Sequence, residues 1–146
     1  MKRMLVFQKD TVDRICSHAQ SEYPEECCGI LLGRRQGGQR IACGAIQTEN
    51  MMGEGKKAAH FMINPMEIVK AELSAERKKL EIIGFYHSHP DYEAVASKED
   101  TLHMIEGYSY PIISVKNGIC VGLKSFEKIK QTDTVAKEEN ILAKEK

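Results

Sequence analysis

The sequence predicts an α/β fold in which a mixed β-sheet carries helices packed on its faces. Apolar runs typical of strands alternate along the chain with segments whose apolar residues recur at helical spacing. Two turn signals, Gly37-Gly38 and Asn117-Gly118, each join a pair of strand-like runs into a hairpin. The chain has 146 residues and no visible linker or repeat, so we expect residues 1–146 to form a single domain.

A strand and a helix are expected first. Residues 5–7 form a short apolar run, and Asp10 or Thr11 can cap a helix that Pro24 ends. The apolar residues of this helix fall on one face, namely Val12, Ile15, Cys16, Ala19 and Tyr23.

The first hairpin follows. Residues 28–33 are apolar without alternation, which predicts a buried strand, and residues 40–47 alternate as its return strand. Residues 48–58 are polar and contain Gly and Lys, which predicts a mobile loop. Residues 60–63 suggest a further short strand.

Asn64-Pro65-Met66-Glu67 has the features of a helix start: an N-cap Asn, then Pro at the first helical position and Glu at the third. We expect the apolar side of this helix to consist of Met66, Val69, Leu73 and Leu80. Residues 82–89 then predict a strand buried on both faces, which Pro90 ends because it lacks a backbone donor.

A third helix start lies at Ser97-Lys98-Glu99-Asp100, with Ser97 as N-cap, and Gly107 is expected to close this helix. Residues 110–116 and 119–126 flank the second hairpin turn. The charged tail from Glu127 is expected to be helical or frayed.

Composition excludes several classes of protein. Lys plus Arg and Asp plus Glu both count 21, so no global field attracts nucleic acid or an anionic membrane. No apolar run approaches the roughly 18 residues that span a bilayer, and the apolar stretch near the start is too short for a signal peptide. We expect a cytoplasmic protein with no nucleic-acid or membrane partner. Five cysteines without a C-x-x-C spacing argue against a disulfide framework, and we expect them to be small buried side chains: Cys16, Cys27, Cys28, Cys43 and Cys120.

His87 and His89 carry the strongest chemical signal. Side chains two apart on a strand share a face, and two adjacent imidazoles suit a metal such as zinc. Asp100 starts the next helix and can fold back to give a third ligand, which leaves one coordination position open, as in catalytic sites. An H-x-H pair alone is also common among surface or core histidines. Metal binding is favoured over these alternatives by three features: Pro90 directly after the pair, the polar loop that follows, and the carboxylate of Asp100 beyond that loop.

A metal-dependent hydrolase also needs a general base. Glu25 and Glu26 stand just before the buried strand at Gly29, and spacing alone does not choose between them; both are also typical of solvated loop residues. We expect the other three histidines to be surface residues, namely His18, His60 and His103.

Three segments resemble the motif of the JAMM (MPN+) metallopeptidase family. These are Pro24-Glu25-Glu26-Cys27-Cys28-Gly29, His87-Ser88-His89-Pro90 and Ser97-Lys98-Glu99-Asp100, and both spacings of the motif match. The resemblance covers roughly residues 5 to 126. It implies a cytidine-deaminase-like α/β fold, with zinc bound by His87, His89 and Asp100. It also implies Glu26 as catalytic base and Ser97 as the residue that supports the oxyanion. Ala96 departs from the Pro that many members carry, which implies a looser loop.

The same resemblance implies the substrate. Family members cut bonds after the Gly-Gly tail of ubiquitin-like proteins, and the insertion that eukaryotic members carry after the Asp is absent here. The chain is therefore similar to the small prokaryotic form, which is associated with ubiquitin-like sulfur carriers. The alternatives are the same chemistry on another peptide or amide, and a non-catalytic scaffold. The complete residue set argues against a scaffold.

Overall fold

The computed structural model describes residues 3–144. In this part of the chain the elements are, in order, β1 (Met4–Phe7), α1 (Thr11–Glu22), β2 (Cys28–Gln36), β3 (Gln39–Thr48), α2 (Pro65–Arg77), β4 (Glu81–Pro90), α3 (Lys98–His103), β5 (Tyr110–Lys116), β6 (Ile119–Glu127) and β7 (Lys137–Ala143). No helix among the described residues has the length and apolar character needed to cross a membrane.

The seven strands form one mixed sheet, as predicted, but the sheet closes into a barrel of order β1-β3-β2-β4-β5-β6-β7. Strand β1 pairs in parallel with β3 and β7, and β4 pairs in parallel with β5, whereas the hairpin partners run antiparallel. The prediction of a helical or frayed tail is wrong, because part of that tail is β7. Its charged residues conceal the strand, since only Glu139 of β7 is buried.

Strand β4 lies at the centre of the packing and is buried on both faces, as predicted. Ile83 and Tyr86 join the core cluster that α1 covers, through Ile15 and Ala19. Ile82 faces the opposite way and packs with α2. The strand that carries His87 and His89 is therefore held from two sides.

The apolar face predicted for α2 is wrong for three of its four residues; Leu80, which follows the helix, does pack against the core. Met66, Val69 and Leu73 are 59%, 47% and 53% exposed, and the helix instead packs on the barrel through Ala71 and Ala75. Two alanines let the helix backbone approach β2 and β4 closely. Small side chains have therefore outweighed the larger apolar stripe in setting the orientation of the helix.

His18 was expected at the surface, but it is buried at 4% exposure. Its Nδ1 atom lies 2.7 Å from the hydroxyl of Tyr86. The Tyr86 ring covers Gly29, where a Cβ atom would overlap it. Gly29 of the sequence motif thus makes room for a buried aromatic ring on the strand that carries the two histidines.

Turns and caps largely follow the sequence. Both hairpin turns have positive φ at the predicted positions, with Asn117 at 52° and Gly118 at 83°. Asn64 caps α2 by accepting from the Met66 N–H. Three expectations fail: no side-chain hydrogen bond caps α1 at Asp10, α3 ends at His103, before Gly107, and residues 60–63 form no strand.

The cysteines are all free thiols. Cys27 and Cys28 are buried, as predicted, whereas Cys16, Cys43 and Cys120 are only partly buried. The Sγ atoms of Cys16 and Cys120 lie 2.6 Å apart, which joins α1 to β6 across 104 positions of the chain.

Candidate metal centre

The carboxyl end of β4 presents two histidine side chains on one face. His87 is 2% exposed and His89 is 7% exposed. The strand pairs with β2 on one side and with β5 on the other, and the register places His87 opposite Cys28 and Ile112. The backbone of His87 is therefore fixed on two sides, and that of His89 is fixed by β5, where it pairs with Ser114.

Asp100 reaches the same point from the first turn of α3. Ser97 is the N-cap of this helix: its Oγ accepts from the Asp100 N–H at 2.9 Å, and its own N–H donates to Asp100 Oδ2 at 3.0 Å. This reciprocal capping box fixes the carboxylate relative to the helix. The arrangement explains why Ser97 and Asp100 are three residues apart.

The donor atoms of these three residues converge. His87 Nε2 lies 3.2 Å from His89 Nε2 and 3.2 Å from Asp100 Oδ1, and His89 Nε2 lies 3.1 Å from Asp100 Oδ2. Ligands at zinc-to-nitrogen bond length around a tetrahedral ion are separated by roughly 3.3 Å. The group is thus able to hold one metal ion, and among the described residues it is the one set with such convergence.

Neighbouring groups orient both rings. His89 Nδ1 lies 2.9 Å from the carbonyl oxygen of Glu93, so this nitrogen carries the proton and leaves Nε2 free to bind a metal. The ring of Phe61 stacks on that of His87, with centroids 4.3 Å apart and planes at 20°. His87 Nδ1 is buried without a hydrogen-bond partner in the described part of the chain. Ring stacking therefore replaces a hydrogen bond as the orienting contact of His87.

The three converging groups also set one another's charge. Burial alone would raise the pKa of Asp100, but the two histidines and the Ser97 N–H outweigh it and hold that pKa well below its usual range. Burial lowers the pKa of His87, whereas at His89 the Asp100 carboxylate overcomes the same effect and raises the pKa. The low pKa of Asp100 provides the ionised carboxylate that a divalent cation requires, and binding of a cation would also require both imidazoles to be neutral.

Glu26 lies next to this group and is buried at 4% exposure, whereas Glu25 is exposed. Burial raises the pKa of Glu26 to about 8, and the nearby Asp100 and Glu99 act in the same direction. Glu26 and Asp100 both line a cavity of about 350 Å³. The structure therefore brings Glu26 rather than Glu25 together with the metal group, in a protonation range suited to proton transfer near neutral pH.

Two residues that support the site, Phe61 and the buried Asn50, could not be found from motifs. Phe61 lies in a segment predicted to be a strand, and nothing in its spacing indicates that it stacks on His87. Asn50 sits in a polar run, where a buried residue is not expected. His18 did leave a signal, because it follows Ile15 by three positions on the buried face of α1.

His60 and His103, expected at the surface, lie at the edge of the cavity. His60 Nδ1 is 2.9 Å from Glu99 Oε2, and the two side chains remain 40% and 54% exposed. His103 is exposed. Neither histidine contributes to the convergent group.

The chain is thus a mixed β-barrel in which two histidines from a strand and an aspartate from the following helix form a group that could hold a metal ion. Residues 8–127 match the family described as prokaryotic homologues of the JAB domain, so the chain belongs to the prokaryotic branch of the JAMM (MPN+) family. The resemblance drawn from the sequence motif is thereby confirmed.

Several relatives are similar to the chain. Desampylase from Haloferax volcanii is 33% identical over 110 residues, which covers 72% of this chain and 76% of that protein. A probable TtuB-protein conjugate cleaving protease from Thermus thermophilus is 25% identical over 97 residues, or 66% of this chain and 61% of the relative. Tail tip assembly protein K of Escherichia phage N15 is 28% identical over 93 residues, but the chain spans only 33% of that protein's length.

A solved structure extends the similarity to nearly the whole chain. The solution structure of a protein from Desulfitobacterium hafniense has a TM-score of 0.82 at 31% identity, and the match covers 98% of this chain and 94% of the other.

Proposed function

We propose that the protein is a zinc-dependent peptidase or isopeptidase that cuts after the C-terminal Gly-Gly of a ubiquitin-like or sulfur-carrier protein. The observation that carries the proposal is the convergence of His87, His89 and Asp100 at 3.1–3.2 Å beside the buried Glu26. Two imidazole nitrogens and one carboxylate oxygen are donors that suit zinc, and three protein ligands leave one position open.

Zinc bound at such a site activates water at neutral pH and polarises a carbonyl group. Glu26 is the proposed general base, which accepts a proton from water and then delivers it to the leaving amine. A raised pKa suits this exchange, since the same carboxyl must gain and lose the proton within one cycle.

Ser97 is the proposed oxyanion donor. Its Oγ already accepts from the Asp100 N–H, and a hydroxyl can accept one hydrogen bond while it donates another. Ser97 lines a second cavity of about 230 Å³ together with Glu26, His89 and Asp100. The capping role and the donor role are therefore compatible, and both depend on the start of α3.

The proposed substrate class rests on the family and on the printed name of one relative. That relative is named as cleaving TtuB–protein conjugates, and it is 25% identical to the chain. We propose that an extended tail of such a conjugate enters the cavity lined by Met52, Met62 and Ile63 and presents its last peptide bond to the metal group.

The test uses a ubiquitin-like carrier whose terminal Gly-Gly is joined either to a peptide extension or to a lysine side chain. Zinc-loaded protein should release the carrier ending at Gly-Gly, as read by intact mass, and a chelator should stop the release. Glu26→Gln should keep the zinc and lose about 10²- to 10⁴-fold in rate. Glu25→Gln is the matched control and should retain the rate of the unsubstituted protein. Full activity in Glu26→Gln would remove Glu26 as the base.

A second candidate is the same chemistry on another peptide or amide bond. This second candidate is supported by the similarity to a phage tail tip assembly protein, because the name of that relative mentions no ubiquitin-like substrate. Cleavage of unrelated peptides at rates equal to the Gly-Gly conjugates would favour this candidate. A non-catalytic scaffold is not favoured, since it has no need of a buried Glu26 beside a metal group.

A further inference from the structure

Asn50 is a buried residue outside the metal group whose side chain uses its full hydrogen-bonding capacity. It is 6% exposed. Its Nδ2 donates to the carbonyl oxygens of Glu26, at 3.0 Å, and His60, at 2.9 Å. Its Oδ1 accepts from the N–H groups of Met52 and Met62, both at 3.1 Å. A carboxamide offers two donors and two acceptor sites, and all four are occupied.

These bonds connect the segment of residues 49–63 to the main chain at Glu26. The segment contains no helix or strand, and it leaves the barrel after β3 and returns at α2. Asn50 joins its outgoing part, at Met52, to its returning part, at Met62. The N–H of Glu26 also donates to the carbonyl of Lys57 at 2.7 Å. Both main-chain polar groups of Glu26 are therefore held by this segment.

The same segment forms one wall of the cavity. Its lining residues include Met52, His60 and Met62, each of which is tied to Asn50 through a backbone group. Misplacement of a catalytic group by about 1 Å can cost on the order of 100-fold in rate. The geometry around Glu26 thus depends on a side chain that touches neither the metal group nor the cavity.

We propose that Asn50 is a positioning residue, whose carboxamide holds the main chain of Glu26 and the cavity wall in the arrangement needed for hydrolysis. This role rests on the proposed function, because it assumes that Glu26 takes part in the reaction. The proposal also states that Asn50 anchors the segment 49–63, which can be tested without any substrate.

Three variants separate positioning from simple loss of buried hydrogen bonds. Asn50→Ala removes all four bonds. Asn50→Asp keeps the two acceptors for Met52 and Met62 but loses the donors to Glu26 and His60. Thr48→Val is the matched control, because Thr48 is also 6% exposed. This substitution removes the 2.9 Å hydrogen bond from the Thr48 hydroxyl to the Cys28 carbonyl, which does not involve the segment 49–63.

Backbone amide exchange, measured by NMR on the full chain with and without zinc, gives the readout that needs no substrate. Asn50→Ala should speed exchange at Met52 and Met62 at least about tenfold, whereas Asn50→Asp and Thr48→Val should change it less than about threefold. Zinc affinity should stay within about threefold in all variants, because the ligands belong to β4 and α3. Unchanged exchange at Met52 and Met62 in Asn50→Ala would overturn the anchoring of the segment.

Hydrolysis of the Gly-Gly conjugate gives the second readout. We expect kcat to fall about 100-fold in Asn50→Ala and at least about tenfold in Asn50→Asp, with Thr48→Val within about threefold of the unsubstituted protein. A rise in KM with kcat unchanged, or an equal loss in Thr48→Val, would overturn the positioning role. An unsubstituted protein that binds zinc yet cleaves no conjugate would instead refute the proposed function, while the exchange data would still decide whether Asn50 anchors the segment.

Discussion

The site as a whole, which is the metal group together with the two cavities beside it, has two walls that are built differently. One wall consists of β4 and α3, where backbone pairing and a capping box place His87, His89 and Asp100. The other is the irregular segment 49–63, in which the buried carboxamide of Asn50 adds four hydrogen bonds to main-chain bonds such as that from the Met51 N–H to the Met62 carbonyl. Backbone pairing and a capping box fix His87, His89 and Asp100. By contrast, hydrogen bonds of one side chain, Asn50, join the segment 49–63 to the main chain at Glu26.

The largest expected effect lies in the β4–α3 wall. His87→Ala removes one of three converging donors and should weaken zinc binding more than 100-fold, since loss of an outer-shell partner alone typically costs about 10- to 100-fold. Competition with a chromophoric chelator measures the affinity. His103→Ala, an exposed residue of α3, is the control. Equal affinities in the two variants would show that His87 is not a zinc ligand.

The next effect concerns Glu26, where the two walls meet, and it appears as a pH dependence of stability. Burial raises the pKa of Glu26 from 4.5 to about 8. Between these values the folded chain keeps a proton that the unfolded chain has lost, so the free energy of unfolding should fall as the pH rises. Glu26→Gln carries no charge at any pH and should remove this fall, which is on the order of 3 kcal/mol between pH 5 and pH 8.

Urea unfolding in the presence of a chelator, at pH 5 and pH 8, measures that difference in the metal-free protein. Glu25→Gln, at the exposed neighbouring position, should leave the pH dependence unchanged. If Glu26→Gln and Glu25→Gln show the same pH dependence of the free energy of unfolding, then Glu26 does not keep a proton in the folded chain between pH 5 and pH 8.

A smaller effect is expected where the segment 49–63 touches a ligand. Phe61→Leu keeps an apolar side chain but removes the ring stacked on His87. Aromatic pairs contribute about 0.5–1.5 kcal/mol, so zinc affinity should fall about 2- to 10-fold, as measured by the same competition. A loss as large as that of His87→Ala would make this segment as important for the metal as β4 itself.

The smallest expected effect concerns the exposed ion pair between His60, in the segment 49–63, and Glu99, in α3. His60 and Glu99 are 2.9 Å apart but largely exposed, and such pairs contribute about 0–1 kcal/mol. His60→Ala should therefore change the free energy of unfolding by less than about 0.5 kcal/mol in urea titrations near pH 6. A larger change would mean that the two walls are coupled through this pair as well as through Glu26.

The same contrast explains what the sequence could predict. His87, His89, Ser97 and Asp100 follow strand and helix-start periodicities, so their shared location could be predicted from spacing. The choice of Glu26 over Glu25 needed family resemblance, because burial of one and exposure of the other result from tertiary packing. Asn50 had no signal at all, since a buried Asn and a solvated Asn look alike in a polar run.

Fold predictions failed for related reasons. On α2 the stripe of Met66, Val69 and Leu73 suggested the wrong buried face, because close approach to the sheet requires the small Ala71 and Ala75. The strand β7 was missed because its charged residues alternate weakly, with Glu139 facing inward to Ser125 and Arg40. In both cases, the residues that become buried were determined by the shape or polarity of a packing partner that is distant in the sequence.

Closure of the barrel has a consequence for the order of folding. Strand β1 precedes every other described element along the chain, yet β7 pairs with it in a register that joins Met4 to Asn140. Ordering so long an intervening chain costs loop-closure entropy before any pairing is gained. On a ribosome, β1 and β6 therefore each keep an unpaired edge until β7 emerges, and these edges are where association between nascent chains would begin.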